Sequence, residues 1–121
     1  MTTLTETSHP GEFIVSEANG HRSRETVTIA TGADLKPCTV LGKVTASGKY
    51  VQFNQDGADG SENAAGILYG DALAASADAE AVAVVRDAEV RGSDLIWPDD
   101  IDPAEQTAAE GELAALGIII R

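Results

Sequence analysis

The chain is poor in the residues that most often carry chemistry. Its 121 residues include one cysteine, two histidines, one tryptophan, two tyrosines and two phenylalanines. A single thiol permits no intramolecular disulfide and no thiol pair for zinc, so Cys38 reads as a small buried hydrophobe rather than a nucleophile. Both histidines, His9 and His21, fall near the ragged start, where no rigid wall can hold a Ser-His-Asp or Cys-His arrangement. Aromatics are too few to fill a core, which leaves Ala, Val, Ile and Leu. A fully buried Val, Leu or Ile contributes roughly 1.5–3 kcal/mol, and Ala less. Such a core is thin, and self-association or docking on a larger body is the expected supplement.

Positive charge is also scarce. Eight Lys and Arg face twenty Asp and Glu, for a net charge of −12. Residues 1–50 hold five acids and five bases, whereas residues 51–121 hold fifteen acids and three bases, Arg86, Arg91 and Arg121. That field repels phosphates and excludes nucleic acid as the main partner. No apolar run approaches the ~18 residues that a membrane span requires, and the start lacks the regions of a signal peptide. Synthesis and folding in a reducing cytosol, without membrane attachment, are expected.

What is present is mostly strand-like. "MTTLTETSHPG" reads as a polar leader, "EFIVSEA" as a short strand and "NGHRSR" as a turn at Asn19-Gly20. In "ETVTIATG", Val27 and Ile29 alternate with Thr26, Thr28 and Ala30 and open the expected folded domain. The clearest hairpin runs from Val40 to Thr45, turns at Ala46-Ser47-Gly48-Lys49 and returns from Tyr50 to Asn54, with Val51 and Phe53 on one face. "QDGADGSENAAG" reads as loop, "ILYG" as renewed apolar structure, and "AEAVAVVRDAEV" as one further strand. Near the end, Asp102, Pro103 and Glu105 form a capping-box pattern. Ala109, Leu113 and Leu116 then give one apolar helix face, Gly117 a stop, and "IIIR" a terminal strand. The expected fold is mainly β (α+β), a small β-rich domain over 26–121 with one C-terminal helix, preceded by an extended N-terminal arm over 1–25.

The acid-rich loops carry little chemistry. In "NQDGADGSE", Asp59 breaks the alternation of oxygen ligands that a calcium loop requires, and helix capping already accounts for Asp102 in "DDIDPAE". No glycine pattern has the lysine or the strand-to-helix context of a phosphate cradle. No metal site, cofactor or catalytic constellation is expected. Trp97, in "DLIWPDD", reads either as a lid over the helix start or as an interface anchor.

Ala64-Ala65-Gly66-Ile67-Leu68, Leu95-Ile96-Trp97-Pro98 with acids following, and the Ala-rich helix leading into Ile118-Ile119-Ile120 stand in a distinctive order. Together with "GEFIVSEANGHRSRETVTIATG" and "TVLGKVTASGKY", this order resembles the lambda-type phage head decoration proteins, over residues 11 to 121. The resemblance implies a β-rich fold without enzymatic activity, and homotrimers at local three-fold positions outside the expanded capsid. Its partners would be the major capsid protein and further copies of itself. The protein would be made in the bacterial host cytoplasm and end in the virion.

On this reading the arm adds a strand to a sheet edge of the major capsid protein through Glu12, Phe13, Ile14, Val15 and Ser16. Phe13 and Val15, or Ile14 on the other side, would fill pockets, and Arg22 and Arg24 would pair with acids. Ile96, Trp97 and Pro98 are the expected trimer contacts. The rival is a non-viral adaptor that augments a soluble partner's sheet, and it is distinguished by preferring that partner over assembled shells.

Overall fold

Val27 and Ile29 are buried while Thr26 is exposed and Thr28 half-buried, the outcome that alternation along a half-buried strand requires. They belong to a computed structural model that describes residues 9–18, 20 and 22–121. Its strands are β1 (Ile14–Glu17), β2 (Arg24–Ile29), β3 (Asp34–Leu35), β4 (Val40–Lys43), β5 (Tyr50–Gln52), β6 (Ala64–Leu68), β7 (Ala72–Leu73), β8 (Ala79–Val84), β9 (Ala88–Val90) and β10 (Ile118–Ile120). Among the described residues, one helix, α1 (Pro103–Ala115), precedes β10, and one 3-10 turn spans Gly92–Asp94. The fold is mainly β with one C-terminal helix.

Five strands close a barrel in the order β2-β5-β4-β6-β8. The β2–β8 pair is the longest, from Arg24↔Val84 to Ile29↔Ala79, and the parallel Ile29↔Tyr50 pairing of β2 with β5 completes the ring. Two residues of the closing wall, Gly42 and Gly66, have no room for a Cβ, which would strike the backbone of Ser61 and Val84 respectively. The expected hairpin is present, with Lys43 opposite Tyr50 and Gly48 in the left-handed region at φ 73°.

Alternation along β4, β6 and β8 builds two cores from one wall. Leu41, Leu68 and Ala83 join Val27, Ile29 and Tyr50 inside the barrel. Their chain neighbours Val40, Ile67 and Val84 face the other way, onto Phe13, Phe53, Val90, Leu113 and Ile118. This second core is covered by α1 and by a small sheet ordered β1-β9-β10.

The helix starts as its sequence predicts. The Asp102 carboxylate accepts the Glu105 N–H at 2.9 Å, and Glu105 accepts the Asp102 N–H at 3.3 Å. Glu112 anchors the helix to β6 by accepting the Ala64 N–H at 3.1 Å. Ala109 and Leu113 are buried, but Leu116 ends the helix and stands exposed. Gly117, at φ 87°, turns the chain directly into β10.

Two further expectations differ from the structure. "AEAVAVVRDAEV" is two strands, because Asp87 adopts φ 51° and breaks the run between β8 and β9. "AAG" before "ILYG" is strand and not loop. Phe13 is fully buried and β1 is paired to β9, so the fold incorporates residues placed in the arm. The reason is the scarcity of aromatics, since Phe13 is one of the few side chains bulky enough to plug the second core.

Candidate functional site

Chain segments that carry the candidate contacts are positioned from the N-terminus inward. The Gly11 N–H donates to the Tyr69 carbonyl at 3.0 Å, and its backbone lies so close to the Tyr69 ring that a Cβ would sit 2.7 Å away. At φ 69°, Gly11 makes the turn that delivers Phe13 into the core. The Phe13 carbonyl then accepts the Arg91 N–H at 2.7 Å, and β1 runs antiparallel to β9 from Ile14↔Val90 to Glu17↔Ala88. The register shifts between Ile14 and Ser16, leaving Val15 at a bulge and 52% exposed.

A charged brace closes the far end of β1. Glu17 accepts from Arg24 Nε at 3.0 Å and Nη2 at 2.5 Å, and also from the buried Ser23 hydroxyl at 2.5 Å. The Arg24 guanidinium lies 4.1 Å from the centre of the Tyr69 ring. Glu17 raises the Arg24 pKa, holding the cation in place. Arg22 is more exposed and pairs with Asp87 at 3.5 Å. Tyr69 and Glu17 are the residues that sequence reasoning missed. Neither has a local pattern to mark it, because the cluster forms only when the β6 end meets the N-terminal turn.

Among the expected capsid contacts, Glu12, Val15 and Ser16 are exposed and Ile14 is half-buried. Phe13 packs in the chain's own core, and Arg24 pairs with Glu17 while staying partly exposed. His9 is exposed, whereas His21 and Asn19 lie outside the described residues. Cys38 is buried, and burial together with its 3.5 Å hydrogen bond to Glu12 pushes the thiol pKa up to about 12.

The expected trimer residues lie on a second surface. The Ile96 N–H donates to the Cys38 carbonyl at 2.9 Å, and the Ile96 carbonyl accepts the Val40 N–H at 3.1 Å. This fixes the segment that continues into Trp97 and Pro98. Trp97 meets Phe53 edge to face, with ring centres 5.8 Å apart. Pro98, Phe53, Val51, Ile29 and Leu35 line an open groove of about 410 Å³. No group of three or more His, Cys, Asp or Glu side chains among the described residues is arranged to hold a metal. None of the described helices is long and apolar enough to cross a membrane.

A family model for the bacteriophage lambda head decoration protein D matches residues 3–118. The chain belongs to that family. No individual curated protein matches it. As a head decoration protein it is a structural, capsid-associated component of the virion, and its two surfaces are read in that light. The decoration protein's buried thiol and braced arginine serve the fold, while the β1 edge and the groove beside Pro98 face outward.

Proposed function

We propose that this decoration protein binds as trimers at local three-fold sites on the outside of the expanded head and stabilises the shell against the pressure of packaged DNA. The family match over residues 3–118 carries the reading. A body that binds only the expanded lattice stabilises that state by its binding free energy, without any catalytic step. Bridging several capsid subunits at each site resists their separation. The second half of the chain carries the whole charge imbalance, fifteen acids against three bases, and would face solvent, where it keeps particles apart.

The N-terminal segment adds a strand to the major capsid protein in this proposal. Its support is the seat of β1, which lies at the edge of its sheet with β9 on one side. An edge strand offers unpaired backbone groups to another chain, and the segment before Gly11 leads directly into it. Glu12, Val15, Ser16 and Arg22 supply exposed side chains beside that edge. Phe13 contributes as the internal anchor that transmits the pull into the core, and Arg24 as the brace.

The test is co-sedimentation with empty expanded and unexpanded heads, using the full chain and a variant lacking residues 1–12 that keeps Phe13. Saturable binding to expanded heads alone, weakened by the truncation, is expected. Binding to neither shell would sink the decoration reading; undiminished binding both after truncation and in a Val15→Pro variant, which alters the β1 edge itself, would sink strand addition by the N-terminal segment.

A further inference from the structure

The chain's five arginines gather around the small sheet β1-β9-β10, whereas its three lysines, Lys36, Lys43 and Lys49, belong to the barrel and its loops. Arg24 pairs with Glu17 of β1, Arg22 with Asp87 at the entry to β9, and Arg121 with Glu89 of β9. Arg91 follows β9, where its N–H meets the Phe13 carbonyl, and its side chain pairs with Asp94. Arg86 pairs with Glu25 and donates to the Arg22 carbonyl at 2.7 Å. Glu12, the remaining acid of this region, accepts from the Cys38 thiol. Acids and arginines therefore nearly balance around the sheet, and the net charge of −12 lies almost wholly on the rest of the molecule.

The same sheet gathers exposed apolar side chains. Ile119 lies opposite Glu89 and Glu89 opposite Ser16, so all three point away from the core that Ile118, Ala88 and Val90 fill. Val15 at the bulge, Ile119 on β10 and Leu116 before it are three of the four exposed large hydrophobics among the described residues. The fourth, Leu73, is held outward on the separate β3–β7 ribbon, between buried Ala72 and Ala74. A shallow hollow of about 240 Å³ crosses the outer face, lined by Ser16, Glu17, Asp87, Glu89 and Ile119. Its three acids are the ones paired with Arg24, Arg22 and Arg121.

We infer that the outer face of β1-β9-β10 lies against the major capsid protein, on a surface that carries carboxylates beside apolar side chains. The inference rests on the decoration reading and names the face that acts. Charge complementarity selects the partner's chemistry. The side chains of Arg22, Arg91 and Arg121 are 71%, 63% and 61% exposed, and each meets one carboxylate of its own chain. A guanidinium has five N–H donors, so each keeps donors that a second carboxylate can accept. Arginine with exposed apolar side chains, and without lysine, is the composition of a protein interface. Every other side of the molecule is strongly acidic and repels such a partner. The β1 edge borders this face, so strand addition and face contact engage one partner together.

Titration of the full chain onto empty expanded heads tests the face. Arg121→Glu and Ile119→Asp are each expected to weaken binding roughly tenfold or more with unchanged unfolding temperature. Lys43→Glu makes the same charge change on the barrel and is expected to cost less than about threefold. Undiminished binding by both face variants, or an equal loss in Lys43→Glu, overturns the inference while leaving decoration intact; failure of the unmodified chain to bind heads overturns both. Hydroxyl-radical footprinting of the unmodified chain gives a second readout that no folding defect can disturb. Val15 and Ile119 are expected to be shielded on heads and Leu73 to stay reactive. Unshielded Val15 and Ile119 on bound protein overturn the inference, and so does equal shielding in concentrated free protein, which would assign the face to a second copy.

Discussion

Glu17 and Arg24 stand at opposite ends of the turn between β1 and β2 and form a two-pronged ion pair, Nε at 3.0 Å and Nη2 at 2.5 Å. The pair closes the turn over the buried Ser23, whose hydroxyl shares the same carboxylate. Replacing Glu17 by Ala therefore removes the hydrogen bonds from Arg24 and Ser23 and strands a buried hydroxyl, at a cost of about 1–3 kcal/mol. Amide exchange at residues 14–17 is expected to accelerate while the barrel strands stay protected. Unchanged exchange would show that β9 alone holds β1.

Phe13→Ala removes the largest fully buried side chain of the second core. A loss of about 3–5 kcal/mol is expected in denaturant unfolding. Val15→Ala, at the exposed bulge, is expected to leave stability nearly unchanged and to weaken head binding instead. The contrast separates anchor from contact. Equal stability losses at both positions would contradict it.

Asp102→Ala removes the helix cap and should destabilise the chain by about 1 kcal/mol, read as a lowered denaturation midpoint. Asp102→Asn, which still accepts the Glu105 N–H, should recover most of that loss. Failure of Asn to rescue would point to charge and not capping as the contribution of Asp102.

Cys38 links stability to alkaline pH. Burial raises its pKa from the ordinary 9.0 to about 12, so the folded chain keeps a proton that the unfolded chain releases across that range. The associated stability is complete below pH 9.0 and is lost as pH climbs toward about 12. Tyr50, raised by burial, adds in the same direction. A thiol-specific disulfide reagent at mildly alkaline pH should label Cys38 only as fast as the chain unfolds, and rapid labelling of the native protein would contradict the burial.

Gly11→Ala would press a Cβ against the Tyr69 ring at a residue with φ 69°. Weakened β1 docking is expected, seen as faster proteolysis near the N-terminus with the barrel intact. Gly20→Ala, also at positive φ but with open space around it, shares the backbone strain without the clash. A smaller effect there isolates the contribution of the Tyr69 contact.

Several elements were legible from local chemistry alone. The capping box at Asp102, the glycine turn at Gly48 and the terminal Ile strand each rest on residues a few positions apart, and the same short motifs in their order carried the family. Charge segregation, too, needs only the sequence. Tertiary structure alone decided where "EFIVSE" goes. A short apolar strand has the same sequence whether it pairs with its own sheet or another's, and the outcome turned on β9 lying alongside and on the second core needing Phe13. The barrel, the Glu17–Arg24–Tyr69 cluster and the outward-locked Leu73 share that character, because each is built from residues far apart in the chain. Local preference selects the strands; their pairing, and therefore which side chains are left to meet a partner, follows from packing them all at once.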